Sequence, residues 1–165
     1  KLIRSEQKQS TVTADVICGN STTMDYLKIL ENYGIETVQL VILHPPYFDI
    51  IKFSDNPEDL SNTKNVEQFL VQFRKVIEKS ETILETNHYL VIVIGDKYEK
   101  GEWIPLGFKT MEMATNCGLT LKSIVVKNID GTQGKRKQNE LWRYRALAGG
   151  FYVFKHEYIF ILQKK

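Results

Sequence analysis

Val38 to Tyr47 reads VQLVILHPPY, a short apolar run, long enough for a buried strand, stopped by His44-Pro45-Pro46-Tyr47. Val, Leu and Ile without polar alternation suit a strand covered on both faces, as in the middle of a parallel α/β sheet. Proline has no N–H and a fixed φ, so Pro45 and Pro46 leave the sheet and the carbonyls beside them lose their ladder partners. The stretch therefore predicts a rigid elbow at the carboxyl end of a strand, where open α/β sheets place their ligands. It carries an imidazole (His44), free carbonyls and two adjacent rings, Tyr47 and Phe48.

Working outward, Thr11–Cys18 has the β-branched content of a strand, and Gly19-Asn20-Ser21 closes it. Thr22 or Thr23 caps a helix whose apolar positions Met24, Leu27, Ile29 and Leu30 run to Gly34. Strand, turn, helix, strand implies a right-handed crossover and parallel pairing. Beyond the elbow, FDIIKFSDNPEDLSN reads as a loop lying over it. A long helix is expected from Lys64 to Leu84, with Val66, Phe69, Leu70, Phe73, Val76, Ile77, Ile83 and Leu84 on its sheet-packing face. Asn87-His88 turns the chain into the apolar strand Tyr89–Ile94, ended by Gly95-Asp96-Lys97. A helix starts near Ile104-Pro105 and stops at Gly118, and Leu119–Val126 is the next strand. Phe151–Phe154 and Tyr158–Leu162 are short runs near the end, the second expected to pair antiparallel beside its predecessor.

Composition sets the frame. The 165 residues suit one domain with a real core, and 42% apolar with 25% charged residues is ordinary for a globular protein. A net charge of +2 does not by itself indicate a nucleic-acid partner. Cys18 and Cys117, the only cysteines, have no metal-ligand spacing and read as free thiols in a reducing compartment. No apolar run reaches the ~20 residues that cross a bilayer, which points to the cytoplasm and away from a membrane. The chain begins at Lys1 in a polar segment, which suits a fragment or a proteolysed product.

The elbow suits one chemistry. The exocyclic amine of adenine or cytosine is a poor nucleophile because its lone pair is delocalised into the ring. A catalyst must accept hydrogen bonds from that NH2 so that the nitrogen pyramidalises as it attacks. An acceptor side chain followed by an unpaired proline carbonyl supplies two acceptors, and a neighbouring ring can stack on a base flipped out of its duplex.

At this point the sequence resembles the amino-methyltransferases of DNA, whose motif is Asp, Asn or Ser followed by Pro-Pro and an aromatic residue. The resemblance extends over most of the chain: Asp59-Leu60-Ser61 after the elbow, Gly95-Asp96 ending a strand, the Ile104-Pro105 helix start, and Lys155-His156-Glu157-Tyr158 before the last strand. It implies an α/β, Rossmann-like methyltransferase sheet, mostly parallel with an antiparallel C-terminal strand, over residues 1–165. It implies methyl transfer from S-adenosylmethionine to adenine N6 or cytosine N4 of duplex DNA, in a bacterial or archaeal restriction-modification setting. The resemblance gives His44, Pro45, Pro46 and Tyr47 the catalytic positions and Tyr47 and Phe48 the flipped base. Gly19 and Asn20, where the family usually has an acidic residue, take the cofactor adenine. His44 departs from the motif and leaves the choice of base open, since neutral imidazole has one acceptor nitrogen. The family's Phe-x-Gly-x-Gly cofactor loop occurs nowhere in the sequence, and Gly131-Thr-Gln-Gly134 reads as a turn. In the family topology the first strands would lie upstream of Lys1, so a second chain or an upstream segment would supply that loop. The alternatives are a non-catalytic nucleic-acid-binding or regulatory relative, and an RNA or protein amine methyltransferase.

The segment 127–150 is read as a basic, substrate-contacting loop. Lys127, Lys135, Arg136, Lys137, Arg143 and Arg145 are set there against Asp130 and Glu140, with Trp142 and Tyr144 interleaved, a pattern that fits phosphate contacts with base stacking. Its bland counterpart is a solvated loop. His88 and His156 have no zinc spacing, so no metal is expected. Asp96 reads equally as a site residue or a strand-end turn, and Glu157 has no nucleophile partner at recognisable spacing.

Overall fold

The computed structural model describes residues 12–129, 139–153 and 155–165. Four strands form one sheet in the order β1 (Val38–Leu43), β2 (Leu84–Ile94), β6 (His156–Gln163), β5 (Thr120–Asn128). β1 and β2 pair in parallel, while β6 runs antiparallel to both β2 and β5. Three strands thus point one way and the C-terminal strand the other, the α/β arrangement expected from sequence. A hairpin that the sequence reading missed, β3 (Lys97–Glu99) with β4 (Glu102–Ile104), follows β2. Lys100 and Gly101 turn it with φ of 50° and 88°, the left-handed pair that a two-residue hairpin loop requires.

The helices are α1 (Tyr26–Glu31), α2 (Val66–Ile83), α3 (Leu106–Asn116) and α4 (Asn139–Gly149). α2 begins where the Asn65 side chain accepts from the Gln68 N–H, and it buries Phe69, Phe73, Val76, Ile77, Ser80 and Ile83 along one stripe. That stripe meets Leu90, Ile92 and Ile94 of β2, Phe160 and Leu162 of β6, and Leu106 and Ala114 of α3 in one buried cluster. Burying a side chain of this size stabilises by roughly 1.5–3 kcal/mol, so the carboxyl ends of β1 and β2 stand on a firm base.

Several expectations are corrected. Residues 12–18 are not a strand, because β-branched composition gives only a propensity and no described strand pairs with them. Thr11 lies outside the described residues. α1 is capped by Asp25, which accepts from the Lys28 N–H, instead of by a threonine. Asn87 does not end a turn: with φ of 67° it sits within β2, beside a register shift against β1. Asparagine tolerates that left-handed conformation, so the strand continues through it. In the short run near the C-terminus the Phe151 ring stacks on Tyr98 at 3.7 Å between centroids, while Phe154 lies outside the described residues. Finally, among the described residues β1 is covered on one face only. The helices α2 and α3 pack on the side of Leu90 and Ile92, and Leu40 and Ile42 on the other side are 53% and 63% exposed. An apolar run marks a strand as core-forming but does not say how many of its faces this chain itself covers.

Candidate active site

β1 delivers the elbow. Val41 and Leu43 pack on the core, Pro45 is buried, and His44 turns outward to solvent. Among the loop and turn hydrogen bonds of the described residues, none ends on the Pro45 carbonyl. Phe48 follows at φ 57°, a left-handed conformation costly for a bulky residue, and its ring is driven into the core at 4% exposure. It lies 6.2 Å from the Phe69 ring and under the Lys97 ammonium, 4.6 Å from its centroid. The stacking role read for Phe48 from sequence therefore does not fit: its faces are taken by the core and by Lys97. Lys97 itself pairs with Asp49 and, at 3.1 Å, with Glu99. Burial alone would lower its pKa, but the two carboxylates outweigh it and hold the ammonium above its ordinary value.

Tyr47 is half-buried and tied at its hydroxyl. Its ring lies against Gly95, where an added Cβ would come within 2.8 Å of Cε2, so glycine is required by close approach. The His44 ring is 5.8 Å away, tilted by 44°. Tyr47 Oη donates to Glu157 Oε2 at 2.5 Å, and His44 Nε2 lies 3.2 Å from the same hydroxyl oxygen. Lys127 Nζ donates to the other carboxylate oxygen, Oε1, at 2.5 Å. Burial, followed by the bond to Glu157 and its charge, pushes the Tyr47 hydroxyl far above the ordinary phenol range, so it keeps its proton. Burial would raise Glu157, but the bonds from Lys127 and Tyr47 prevail and hold it below the usual carboxylate value. The result is an ionised carboxylate within a chain Lys127, Glu157, Tyr47, His44.

The sequence singles out His44 and Tyr47 as candidates but does not show what holds them. Lys127, read as a phosphate contact, is placed instead on Glu157. The signal lies in strand register: Lys127 and Glu157 are direct partners across β5 and β6. That pairing follows only once both strands and their alignment are known.

Asn20 is reached by a different route. Its Oδ1 accepts from the Thr22 N–H (2.9 Å) and hydroxyl (2.7 Å), and its Nδ2 donates to Glu58 at 3.0 Å. Gly19 and Asn20 lie in a turn at the surface, so the side chain read as a cofactor contact is committed to its neighbours. The loop that follows the elbow is fastened by its own polar groups: Asp59 accepts from the Ser61 N–H and hydroxyl, and Asn62 donates to the Ser54 and Asn56 carbonyls. Asp96 is structural. It is 3% exposed and accepts from the Gly107 N–H in the first turn of α3, from Trp103 Nε1 and from the Tyr158 hydroxyl.

The segment read as a basic loop contains α4, and Lys135, Arg136 and Lys137 lie outside the described residues. Arg143 is exposed on α4, and Arg145 lines an open groove of about 450 Å³ with Tyr98, Lys100, Tyr144, Ala148 and Gly149. Among the described residues no cluster of three or more His, Cys, Asp or Glu is placed to hold a metal, and no helix is long and apolar enough to cross a membrane.

No protein-family model matches this chain, and no curated protein matches it. Solved structures do. A putative DNA modification methylase from Thermus thermophilus shares 19% identity at a TM-score of 0.57, covering 88% of this chain and 50% of that one. The same protein complexed with S-adenosyl-L-methionine gives 17% identity and a TM-score of 0.56, covering 88% and 53% of the two chains. The PvuII DNA methyltransferase, cytosine-N4-specific, gives 15% identity and a TM-score of 0.58, covering 86% of this chain and 48% of its own. At such identities the likeness is one of fold: this chain shares the Rossmann-like α/β fold of these structures and spans about half their length.

Proposed function

We propose that this chain belongs to an S-adenosylmethionine-dependent methyltransferase acting on an exocyclic amino group of a DNA base, adenine N6 or cytosine N4. The observation that carries the reading is the elbow: an exposed imidazole at the carboxyl end of β1, beside a tyrosine whose hydroxyl is fixed by a buried carboxylate paired with Lys127. In this proposal His44 accepts one N–H of the target amine and the Pro45 carbonyl accepts the other. Pro46 keeps that carbonyl aimed out of the sheet, and Tyr47 lies against the flipped base. Two fixed acceptors favour the pyramidal nitrogen of the transition state over the planar amine of the ground state, which is the source of rate.

S-adenosylmethionine would supply the electrophilic methyl group. Of the residues present, Gly19 and Asn20 are the ones proposed to meet its adenine, but the Asn20 amide is engaged by Thr22 and Glu58 in a surface turn. The described residues thus fit the acceptor side of the reaction better than an enclosing donor pocket. Duplex DNA is the proposed substrate, with Arg143, Arg145 and, from sequence, Lys135, Arg136 and Lys137 meeting phosphates.

The test is transfer of labelled methyl from S-adenosylmethionine to duplex DNA, RNA and protein in parallel. Label confined to DNA supports the reading; label in RNA or protein overturns its substrate. A second reading, a non-catalytic nucleic-acid-binding relative, is favoured by the engaged Asn20 and the absent glycine loop. Calorimetric titration with S-adenosylmethionine separates the two. Binding near the micromolar range, about −8 kcal/mol, supports the enzyme, and absence of binding supports the relative.

A further inference from the structure

We infer that Glu157, held by Lys127 and acting through Tyr47, fixes the tautomer of His44 so that Nδ1 faces outward as an acceptor; Glu157 and Lys127 are positioning residues of the site. The number of protons available fixes the direction of each bond. A tyrosine hydroxyl has one proton to give, and Tyr47 gives it to Glu157 Oε2 at 2.5 Å, within the ~2.5–2.7 Å range of hydroxyl-to-carboxylate bonds. The carboxylate has only acceptors, and Lys127 has only donors, so neither end of the chain can reverse the direction. The hydroxyl oxygen, having spent its proton, can only accept from the imidazole nitrogen 3.2 Å away. Nε2 must therefore carry the hydrogen, and in a neutral imidazole Nδ1 is left with the free lone pair. Nothing else among the described residues hydrogen-bonds the ring, so that lone pair is open to solvent and to a ligand.

The consequence rests on the amino-methyltransferase reading: an acceptor is what a target NH2 needs, and the relay gives His44 the hydrogen-bonding character that a carboxylate or amide oxygen would have at this position. The relay itself is independent of that reading. It makes a specific statement about Glu157→Gln. Lys127 would hold the amide oxygen at the Oε1 position, turning the amide NH2 toward Tyr47. The NH2 would donate to the hydroxyl, whose own proton would then go to His44 Nε2. The hydrogen-bond direction reverses, and the imidazole is driven to the Nδ1–H form, with no acceptor left outside.

The experiment is two-bond ¹⁵N–¹H correlation spectroscopy of the ¹⁵N-histidine-labelled 165-residue chain and of E157Q. The spectra are recorded at pH about 8.5, and the ring ¹⁵N shifts themselves distinguish the neutral tautomers from the doubly protonated ring. Peaks of His44 are assigned by their loss in H44Q, with His88 and His156 as internal checks on folding. The expected result is Nε2–H at His44 in the native chain and a shift of population to Nδ1–H in E157Q. An Nδ1–H ring in the native chain overturns the inference without recourse to any variant. An unchanged His44 tautomer in a folded E157Q also overturns it. Because neither spectrum requires cofactor, DNA or turnover, the relay and the methyltransferase reading can fail separately. A confirmed tautomer flip with unaltered methyl transfer would leave the relay standing and remove His44 from the reaction.

Discussion

Glu157 shows how much a single residue of this site depends on its surroundings. Its folded-state pKa lies below the ordinary carboxylate value, so the unfolded chain binds its proton at higher pH than the folded one. The stabilisation it brings is therefore full above the unfolded value of about 4.3–4.5, and is lost as pH falls through the folded pKa. Chemical denaturation of the native protein and E157Q across pH should show a stability gap that is constant near neutrality and closes in acid; a gap that widens in acid would contradict the ion pair. At the same scale, Gly95→Ala places a methyl 2.8 Å from Tyr47 Cε2. The ring must shift, so methyl transfer is expected to fall. Activity equal to the native protein in a folded G95A would show that the position of Tyr47 is immaterial. The proposed catalytic side chains were legible in sequence because the Pro-Pro pair marks them locally. Glu157 and Lys127 were not, since they meet only through the β5–β6 register, 30 residues apart along the chain.

Among the elements, the join between β2 and α3 depends on Asp96. Pro105 at the N-cap has no side-chain donor or acceptor, so Asp96 caps the helix from a neighbouring segment while also taking the Trp103 and Tyr158 donors. Asp96→Ala removes the acceptor of the buried Gly107 N–H and is expected to cost about 1–3 kcal/mol. Urea unfolding should then show a lower midpoint with an unchanged slope, and a midpoint equal to the native one would refute this capping role. Long elements read well from sequence: the helical stripe of α2 was found within two residues of its ends, and the apolar core of β2 was found although its first five residues were not. Short ones were lost for physical reasons. The β3–β4 hairpin is set by the turn at Lys100-Gly101 within three-residue strands, too brief for any period to show. α4 was hidden by a basic composition that suits a solvated helix as well as a loop.

For the molecule as a whole, charge is the accessible test of a nucleic-acid partner. With a net charge of +2, affinity for DNA would have to come from a local patch, and the exposed Arg143 on α4 beside the groove of Tyr144 and Arg145 is the described part of the one proposed. Binding to duplex DNA should weaken as salt rises, and Arg143→Ala should reduce the slope of log affinity against log salt by about 1. An unchanged slope would place the phosphates elsewhere. The open faces of Leu40 and Ile42 belong to this scale too: the apolar run correctly announced a sheet strand, but its second cover is not supplied by the described residues.

Activation of an exocyclic amine by the elbow is tested by identifying the methylated nucleoside. Duplex DNA treated with this protein and labelled S-adenosylmethionine would be digested to nucleosides and separated, for the native chain and for His44→Ala. Such activation predicts label in N6-methyladenine or N4-methylcytosine, and a loss of about 10²-fold or more in the variant. Label on a ring carbon, no label in DNA, or an H44A protein as active as the native one would contradict it.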